Sequence, residues 1–333
     1  MGNKRQAAPA IQAAETTIAV TVYDRRDYVR EAIRSALALG NKGDGPQVLV
    51  VEDCGPDAEL REWIRSGFGD QIRYHRNPSR RGLFDNWNSC IEHCATRWLC
   101  ILHDDDTLEP NFIKAMQELS SAAPNRALYY GLCRTIDRQG RCTIDVPQPG
   151  RFEWHELDLE ACTRHDPVCF PGQLFDVAAA RALGGFRLGS HYCADWEMWF
   201  RLALHGGAAG TNRVIANYRE HHAAGRGTTK VNVSGRKFAY INMQRKRHVA
   251  WLRPQRPEVV FNREKIQCDS PLPTRFLLQH ARTFSPLMLK YNAALLRLSA
   301  APHVGYRIIQ LLTSLFTWRS LRLASRIFGR LAH

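Results

Sequence analysis

The sequence predicts an α/β protein, with a mostly parallel, Rossmann-like sheet flanked by helices and a basic helical C-terminal extension. Three observations carry this. Short apolar runs alternate with stretches of helical spacing, acidic residues recur where those runs end, and the positive charge is gathered at one end of the chain. Of the formal +14, residues 241–333 hold +13, from 16 Lys and Arg against three Asp and Glu, which leaves +1 for residues 1–240. A nucleic-acid cleft lined with cations is therefore not expected in the α/β part.

The elements follow in order. Thr17 to Val22 is an apolar, β-rich run, and Val29, Ile33, Ala36 and Leu37 give Tyr28 to Leu39 helical spacing. Val48 to Val51 is a second strand, ended by Glu52-Asp53-Cys54-Gly55-Pro56, and Leu60, Trp63 and Ile64 open a second helix. Ile72 to His75 reads as a strand, Leu83 to Cys94 as a helix, and Trp98 to Leu102 as a strand buried on both faces. Phe112 to Leu119 is helical, Ala127 to Ile136 extended, and Asp137-Arg138-Gln139-Gly140 a hairpin turn into Cys142-Thr143-Ile144. Gln173 to Val177, a helix from Ala178 to Leu183, a second helix starting near Asp195 and a strand from Arg213 to Tyr218 close the core. The expected organisation is a flexible tail over 1–15, a catalytic domain over 16–222 with halves 16–110 and 111–222, a basic linker over 223–240 and a basic helical extension over 241–333. Ten cysteines without a C-x-x-C motif read as free thiols in a reducing cytosol.

Chemistry is expected where strands end. Ligands of open α/β sheets bind beyond the carboxyl ends of the strands, and there Tyr23-Asp24, Asp53 and Asp104-Asp105-Asp106 converge. Three adjacent carboxylates repel one another, and a hard divalent ion such as Mg²⁺ or Mn²⁺ relieves that repulsion. An acidic turn that merely caps the next helix is the competing reading.

The order of motifs resembles the inverting glycosyltransferases of family 2 type with the GT-A nucleotide-binding fold. The resemblance covers residues 16–222 and rests on Tyr23-Asp24-Arg25, Ala32-Ile33-Arg34-Ser35-Ala36-Leu37, Val50-Val51-Glu52-Asp53-Cys54-Gly55, Asn77, Gly82, Asn86-Trp87-Asn88 and Leu102-His103-Asp104-Asp105-Asp106. Thr21 stands where proline is usual, and Cys54-Gly55 replaces Gly-Ser. The resemblance implies transfer of a sugar from a nucleotide-diphosphate donor to an acceptor hydroxyl. It places Tyr23, Asp24, Arg25, Asp53, Asp104 and Asp105 at the nucleotide sugar, and Asp105, Asp106 and His221 at the metal. His221 closes the segment Tyr218-Arg219-Glu220-His221. On the acceptor side it points to Asp195, in Ala194-Asp195-Trp196-Glu197-Met198-Trp199-Phe200-Arg201, as the base, with Glu197 second.

Two alternatives are a sugar-phosphate nucleotidyltransferase of the same fold, which lacks its Gly-rich, Lys-containing loop here, and a catalytically silent membrane-associated binding module. Residues 274–333 contain nine Lys or Arg and no acid, and Arg319, Arg322, Arg326 and Arg330 fall on one helix face. Such a helix suits an anionic membrane surface. A glycan or lipid-linked acceptor, cell-surface polysaccharide assembly and a cytoplasmic protein peripheral on the inner face of the membrane are the resulting expectations. A helix packed on the catalytic domain is the other reading of this segment.

Overall fold

The computed structural model describes residues 9–40, 44–146, 150–220 and 236–255 of the 333-residue chain. Contacts group them into two units. Of the described residues, the first unit comprises 9–40, 44–146, 150–162, 166–189 and 194–220, and the second 163–165, 190–193 and 236–255.

The first unit is built on one sheet. Strands β1 (Thr16–Val22), β2 (Gln47–Glu52), β3 (Arg73–Arg76) and β4 (Trp98–His103) lie in the order β3-β2-β1-β4, all parallel. All seven residues of β1 are buried because it is paired on both edges and covered on both faces. Its threonines would leave bare hydroxyls in such a place. Thr17 avoids this by sharing a 2.7 Å hydrogen bond with Thr96, the kind of pairing a buried polar group requires.

Between the strands run α1 (Arg26–Leu37), α2 (Leu60–Phe68) and α3 (Leu83–His93). In α1, Val29, Ala32, Ile33 and Ala36 are buried, the i, i+3, i+4, i+7 pattern of one helical face turned to the sheet. Removing a side chain such as Ile33 from that face would cost about 2–5 kcal/mol. Arg26 and Arg30 lie over the Trp63 ring at 5.6 and 4.6 Å, and Arg26 also grips Asp57 with two hydrogen bonds of 2.7 and 2.6 Å, which fixes the start of α1 beside α2.

Beyond β4 the sheet is mixed. The elements there are β5 (Thr107–Leu108), α4 (Phe112–Ala122), β6 (Leu128–Ile136), β7 (Cys142–Ile144), β8 (Trp154–Glu156), α5 (Leu159–Cys162), β9 (Gln173–Asp176), α6 (Val177–Ala182), α7 (Ala194–Gly206) and β10 (Ala208–Arg219). Strand β9 inserts between β4 and β6, antiparallel to both, while β6 and β10 are parallel neighbours. The short β5 adds to β10 antiparallel, as does β8, and β7 returns along β6. The last strand begins at Ala208 rather than Arg213 because Ala208, Ala209 and Gly210 pair with Leu128, Tyr129 and Tyr130 of β6.

Helix α6 is started by Asp176, whose side chain accepts the Ala179 N–H at 2.9 Å, a cap worth about 1 kcal/mol. Helix α7 is buried nearly all round, from Trp196 through Ala203. Its Glu197 is fully buried and is bound by Arg201 through Nε to Oε1 at 2.9 Å and Nη2 to Oε2 at 2.6 Å. Arg201 in turn donates to the carbonyls of Leu183 and Gly185 at 2.8 and 2.6 Å, so the ion pair ties the Gly184-Gly185 turn to α7. Gly185 has φ +67°, and a Cβ there would lie 2.4 Å from Oδ1 of Asn88. Only glycine fits.

In the second unit α8 (Arg236–Leu252) begins within the stretch expected to be linker. Within this unit Arg245 Nε donates to the Arg164 carbonyl at 2.6 Å and Arg247 to Ser190 at 3.4 Å. Among the described residues no helix is long and apolar enough to cross a membrane. The basic helix expected around Arg319, Arg322, Arg326 and Arg330 lies outside the described residues, as does His221.

Candidate active site

The parallel half of the sheet delivers its carboxyl ends to one edge. Tyr23, Asp24 and Arg25 follow β1, Asp53 follows β2, and Asp104, Asp105 and Asp106 follow β4. All three aspartates of the triplet are buried, at 7%, 8% and 1% exposure. That separates them from an acidic turn in solvent, since buried carboxylates need a cation or hydrogen bonds to persist.

Each carboxylate has a different environment. The Arg25 guanidinium binds Oδ1 of Asp104 at 3.1 Å and also contacts Oδ2 of Asp105. Oδ1 of Asp106 accepts the backbone N–H of Arg219 at 2.8 Å, while its Oδ2 is buried with no hydrogen-bond partner. Nδ1 of His103 is 3.6 Å from that oxygen, too far for a hydrogen bond. His103 lies against Phe170 with ring centroids 4.1 Å apart and against Trp87 at 5.5 Å, and its Nε2 is likewise unpartnered.

Burial and the neighbouring Asp105 push the Asp104 carboxyl up to about 7, and burial raises Asp106 as well. Burial works to lower His103, but the adjacent Asp106, followed by Asp105 and Asp104, outweighs it and the imidazole is raised. One ligand atom from each of His103, Asp105 and Asp106 lies within 4.8 Å of the others. Oxygen and imidazole donors around an unsatisfied buried carboxylate oxygen are a donor set that fits Mg²⁺ or Mn²⁺.

Asp53 is placed differently. Its Oδ1 accepts the N–H of Arg81 at 2.7 Å and the Asn77 amide at 3.3 Å, and its Oδ2 accepts the N–H of Gly82 at 2.9 Å. It therefore shapes the loop that enters α3. Tyr23 forms a wall of the same edge, half-buried, with the Arg80 guanidinium 4.4 Å above its ring. The two residues after Asp53 build the facing turn. Cys54 has φ +49°, a left-handed conformation costly for a residue with a Cβ, and a Cβ on Gly55 would lie 1.8 Å from the Tyr23 carbonyl oxygen.

On the other side, Asp195 sits in the first turn of α7, its Oδ1 accepting the Trp196 N–H at 2.8 Å. Burial raises its carboxyl, against the pull of that backbone bond and of His103. The charge of His103 acts weakly on Asp195. Glu197 does not join them, because Arg201 holds both its oxygens.

Three residues here had gone unassigned in the sequence. His103 was visible only as a neighbour of the triplet. Asp166 is raised well above the ordinary carboxylate range by burial and then by Asp195, and no motif marks it. Arg219, almost wholly buried, donates through Nε to the Asp105 carbonyl at 2.7 Å, through Nη1 to the Asp137 carbonyl at 2.9 Å and through Nη2 to Glu31 at 2.8 Å. Its position in Tyr218-Arg219-Glu220-His221 was the available signal.

An open sheet with a carboxylate triplet past β4 and an aspartate past β2 has the architecture of the GT-A fold. Residues 17–152 match the model of glycosyl transferase family 2. Solved structures share the fold. The chain superposes on Staphylococcus aureus TarS 1–349, in complex with UDP-GlcNAc, with a TM-score of 0.55 at 12% identity, covering 89% of this chain and 90% of that one. It superposes on the Pyrobaculum calidifontis mannosyltransferase PcManGT, in complex with GDP-Man and Mn²⁺, with a TM-score of 0.51 at 13% identity, covering 97% and 90%. The succinoglycan biosynthesis protein ExoO of Rhizobium meliloti is 32% identical over 116 residues, 34% of this chain and 32% of ExoO. The chain spans 64%, 18% and 31% of the length of the three curated relatives it matches first, all Rickettsia glycosyltransferases.

Proposed function

We propose that the protein is a metal-dependent, inverting glycosyltransferase that moves a sugar from a nucleotide-diphosphate donor to an acceptor hydroxyl. The observation that carries this is the unpartnered, buried Oδ2 of Asp106 beside Asp105 and His103 at the carboxyl end of β4. Asp105, Asp106 and His103 would hold Mg²⁺ or Mn²⁺, and His221 is a further candidate ligand. Bound there, such an ion would supply positive charge to offset that of the departing diphosphate.

The chain's own residues supply the rest. Tyr23, Asp24 and the loop fixed by Asp53 line the nucleotide side, and Arg25 and Asp104 face the phosphates. Asp195 takes the proton of the acceptor hydroxyl, so the hydroxyl oxygen attacks the anomeric carbon as the bond to the diphosphate breaks. Burial of Asp195 favours this role, because a raised carboxylate is a stronger base than an exposed one.

The acceptor is proposed to be a glycan or lipid-linked intermediate of cell-surface polysaccharide. Support comes from the likeness to ExoO and from the basic segment after residue 240. That segment would hold the protein on the inner face of the membrane by its charge. Binding to anionic vesicles that weakens with salt tests this, and indifference to such vesicles at low ionic strength would remove it.

The central reading is tested by thermal shift with UDP, GDP, CDP and dTDP, each with and without Mn²⁺. The expected result is metal-dependent stabilisation by one base, of about 2.7 kcal/mol at roughly 100 times its Kd. Transfer from the matching sugar donor should then require the metal. No stabilisation by any of the four, with or without Mn²⁺, overturns the reading.

A further inference from the structure

The guanidinium of Arg25 lies where a cation is wanted. It contacts Asp104 and Asp105 together, two buried carboxylates of which Asp105 also belongs to the cluster with His103 and Asp106. The remaining carboxylate oxygen, Oδ2 of Asp106, accepts no hydrogen bond and has only the His103 imidazole near it, at 3.6 Å. Arg25 thus neutralises one side of the site and leaves the other open. Its position favours exchange. It stands at the junction of β1 and α1, its side chain is 28% exposed, and its backbone is not part of either element.

We propose that Arg25 is an internal counter-ion that competes with the metal for Asp105 and is handed to the donor diphosphate when the metal enters, coupling the two binding events. The proposal rests on the reading of the triplet as a metal and nucleotide-sugar site. Asp105 cannot serve both cations at full strength, because a guanidinium and a divalent ion sharing one carboxylate repel each other. Displaced from Asp105, the guanidinium is a planar, always-charged donor beside the site of two phosphates, the group it pairs with best. Diphosphate bound by the released Arg25 removes the competitor, so the metal binds more tightly. By linkage, metal must tighten diphosphate by the same factor.

The experiment measures free Mn²⁺ by electron paramagnetic resonance during titration of the full-length protein, with and without UDP or GDP. Nucleotide binding is measured separately by calorimetry at saturating Mn²⁺. Wild type, Arg25→Met, Arg25→Lys and Asp106→Ala are compared, with thermal unfolding as the check on folding and Arg25→Gln in reserve.

Arg25→Met is expected to bind Mn²⁺ alone about 10-fold more tightly than wild type, a gain that damage to the fold would not produce. In wild type one of the two nucleotides should tighten Mn²⁺ by about 10-fold or more, and in Arg25→Met this coupling should fall to about threefold or less. Arg25→Lys, which keeps the charge, should stay near wild type in Mn²⁺ affinity.

Equal or weaker Mn²⁺ binding by a folded Arg25→Met, with wild-type binding still dependent on Asp106, overturns the counter-ion role and leaves the metal site standing. Tighter Mn²⁺ binding with the nucleotide coupling unchanged, or no coupling in wild type with either nucleotide, overturns the handover. Wild-type binding of Mn²⁺ that is indifferent to Asp106→Ala, or absent, removes the underlying site instead.

Discussion

Oδ2 of Asp53 accepts the backbone N–H of Gly82 at 2.9 Å, and with Oδ1 on Arg81 the carboxylate spans the last two residues before α3. Gly82 itself has φ +86°, so the loop turns sharply as it enters the helix. Asp53→Ala is expected to leave two N–H groups without their partner and to cost about 1–3 kcal/mol in urea unfolding. Nucleotide affinity should fall for every base alike, because the loop and not a base contact is lost. A change in the ratio of affinities for UDP and GDP would instead place the carboxylate on the base.

Asp106→Ala removes the orphaned oxygen and the acceptor for the Arg219 N–H. Metal-dependent stabilisation by a nucleoside diphosphate should disappear in thermal shift, while the apo protein still unfolds cooperatively. Unchanged metal-dependent binding would rule Asp106 out as a ligand.

Asp195→Asn is nearly isosteric and retains an acceptor for the Trp196 N–H. Donor binding should persist, and turnover should fall by about 10²- to 10⁴-fold. Because burial raises the wild-type carboxyl, wild-type kcat should climb with pH as Asp195 ionises and level off above its raised value. The variant should lack that ascending limb. Near-normal turnover in Asp195→Asn would move the base elsewhere.

Asp166 gives a stability prediction with a definite sign. Its carboxyl is raised in the folded protein, by burial first and by Asp195 second. Its contribution to stability is therefore full below the unfolded value of about 4 and is lost as pH rises through the folded value. Asp166→Asn should melt a few degrees higher than wild type at about pH 8, and the difference should shrink towards about pH 4. A variant less stable than wild type at the higher pH would contradict this.

Cys54 occupies a left-handed conformation at φ +49°, a region that glycine adopts without a Cβ penalty. Cys54→Gly should relieve about 1–2 kcal/mol of backbone strain, offset in part by the greater freedom glycine has in the unfolded chain. A modest gain in the urea midpoint is expected. A loss would mean that the weak contact from Arg76 Nη2 to the sulfur, at 3.7 Å, outweighs the strain.

The parallel half of this fold was legible because its signals are local. β1, β2 and β4 are apolar runs closed by acidic residues, and each period sits within a dozen residues. The insertion of β9 between β4 and β6 was not, because strand order is set by which faces must be covered and leaves no mark on the strand's own residues. The same holds for the site. Asp104, Asp105 and Asp106 announce themselves by adjacency, whereas Asp166 gains its character from burial first and then from the charge of Asp195, 29 positions away. Glu197 stood second to Asp195 as a candidate base. Its partner Arg201 lies one turn further on, and only their burial together shows that the pair serves the turn at Gly185.

Arg219 also carries a consequence in time. Its hydrogen bonds reach Asp106 across 113 residues and Glu31 across 188. At about 5–20 residues per second, the interval between synthesis of Asp106 and of Arg219 is roughly 6–23 s. Throughout it the nascent chain holds its aspartates without the strand that fixes them. A ribosome halted anywhere in that interval would display a triplet already made but still without the Arg219 N–H that Asp106 accepts.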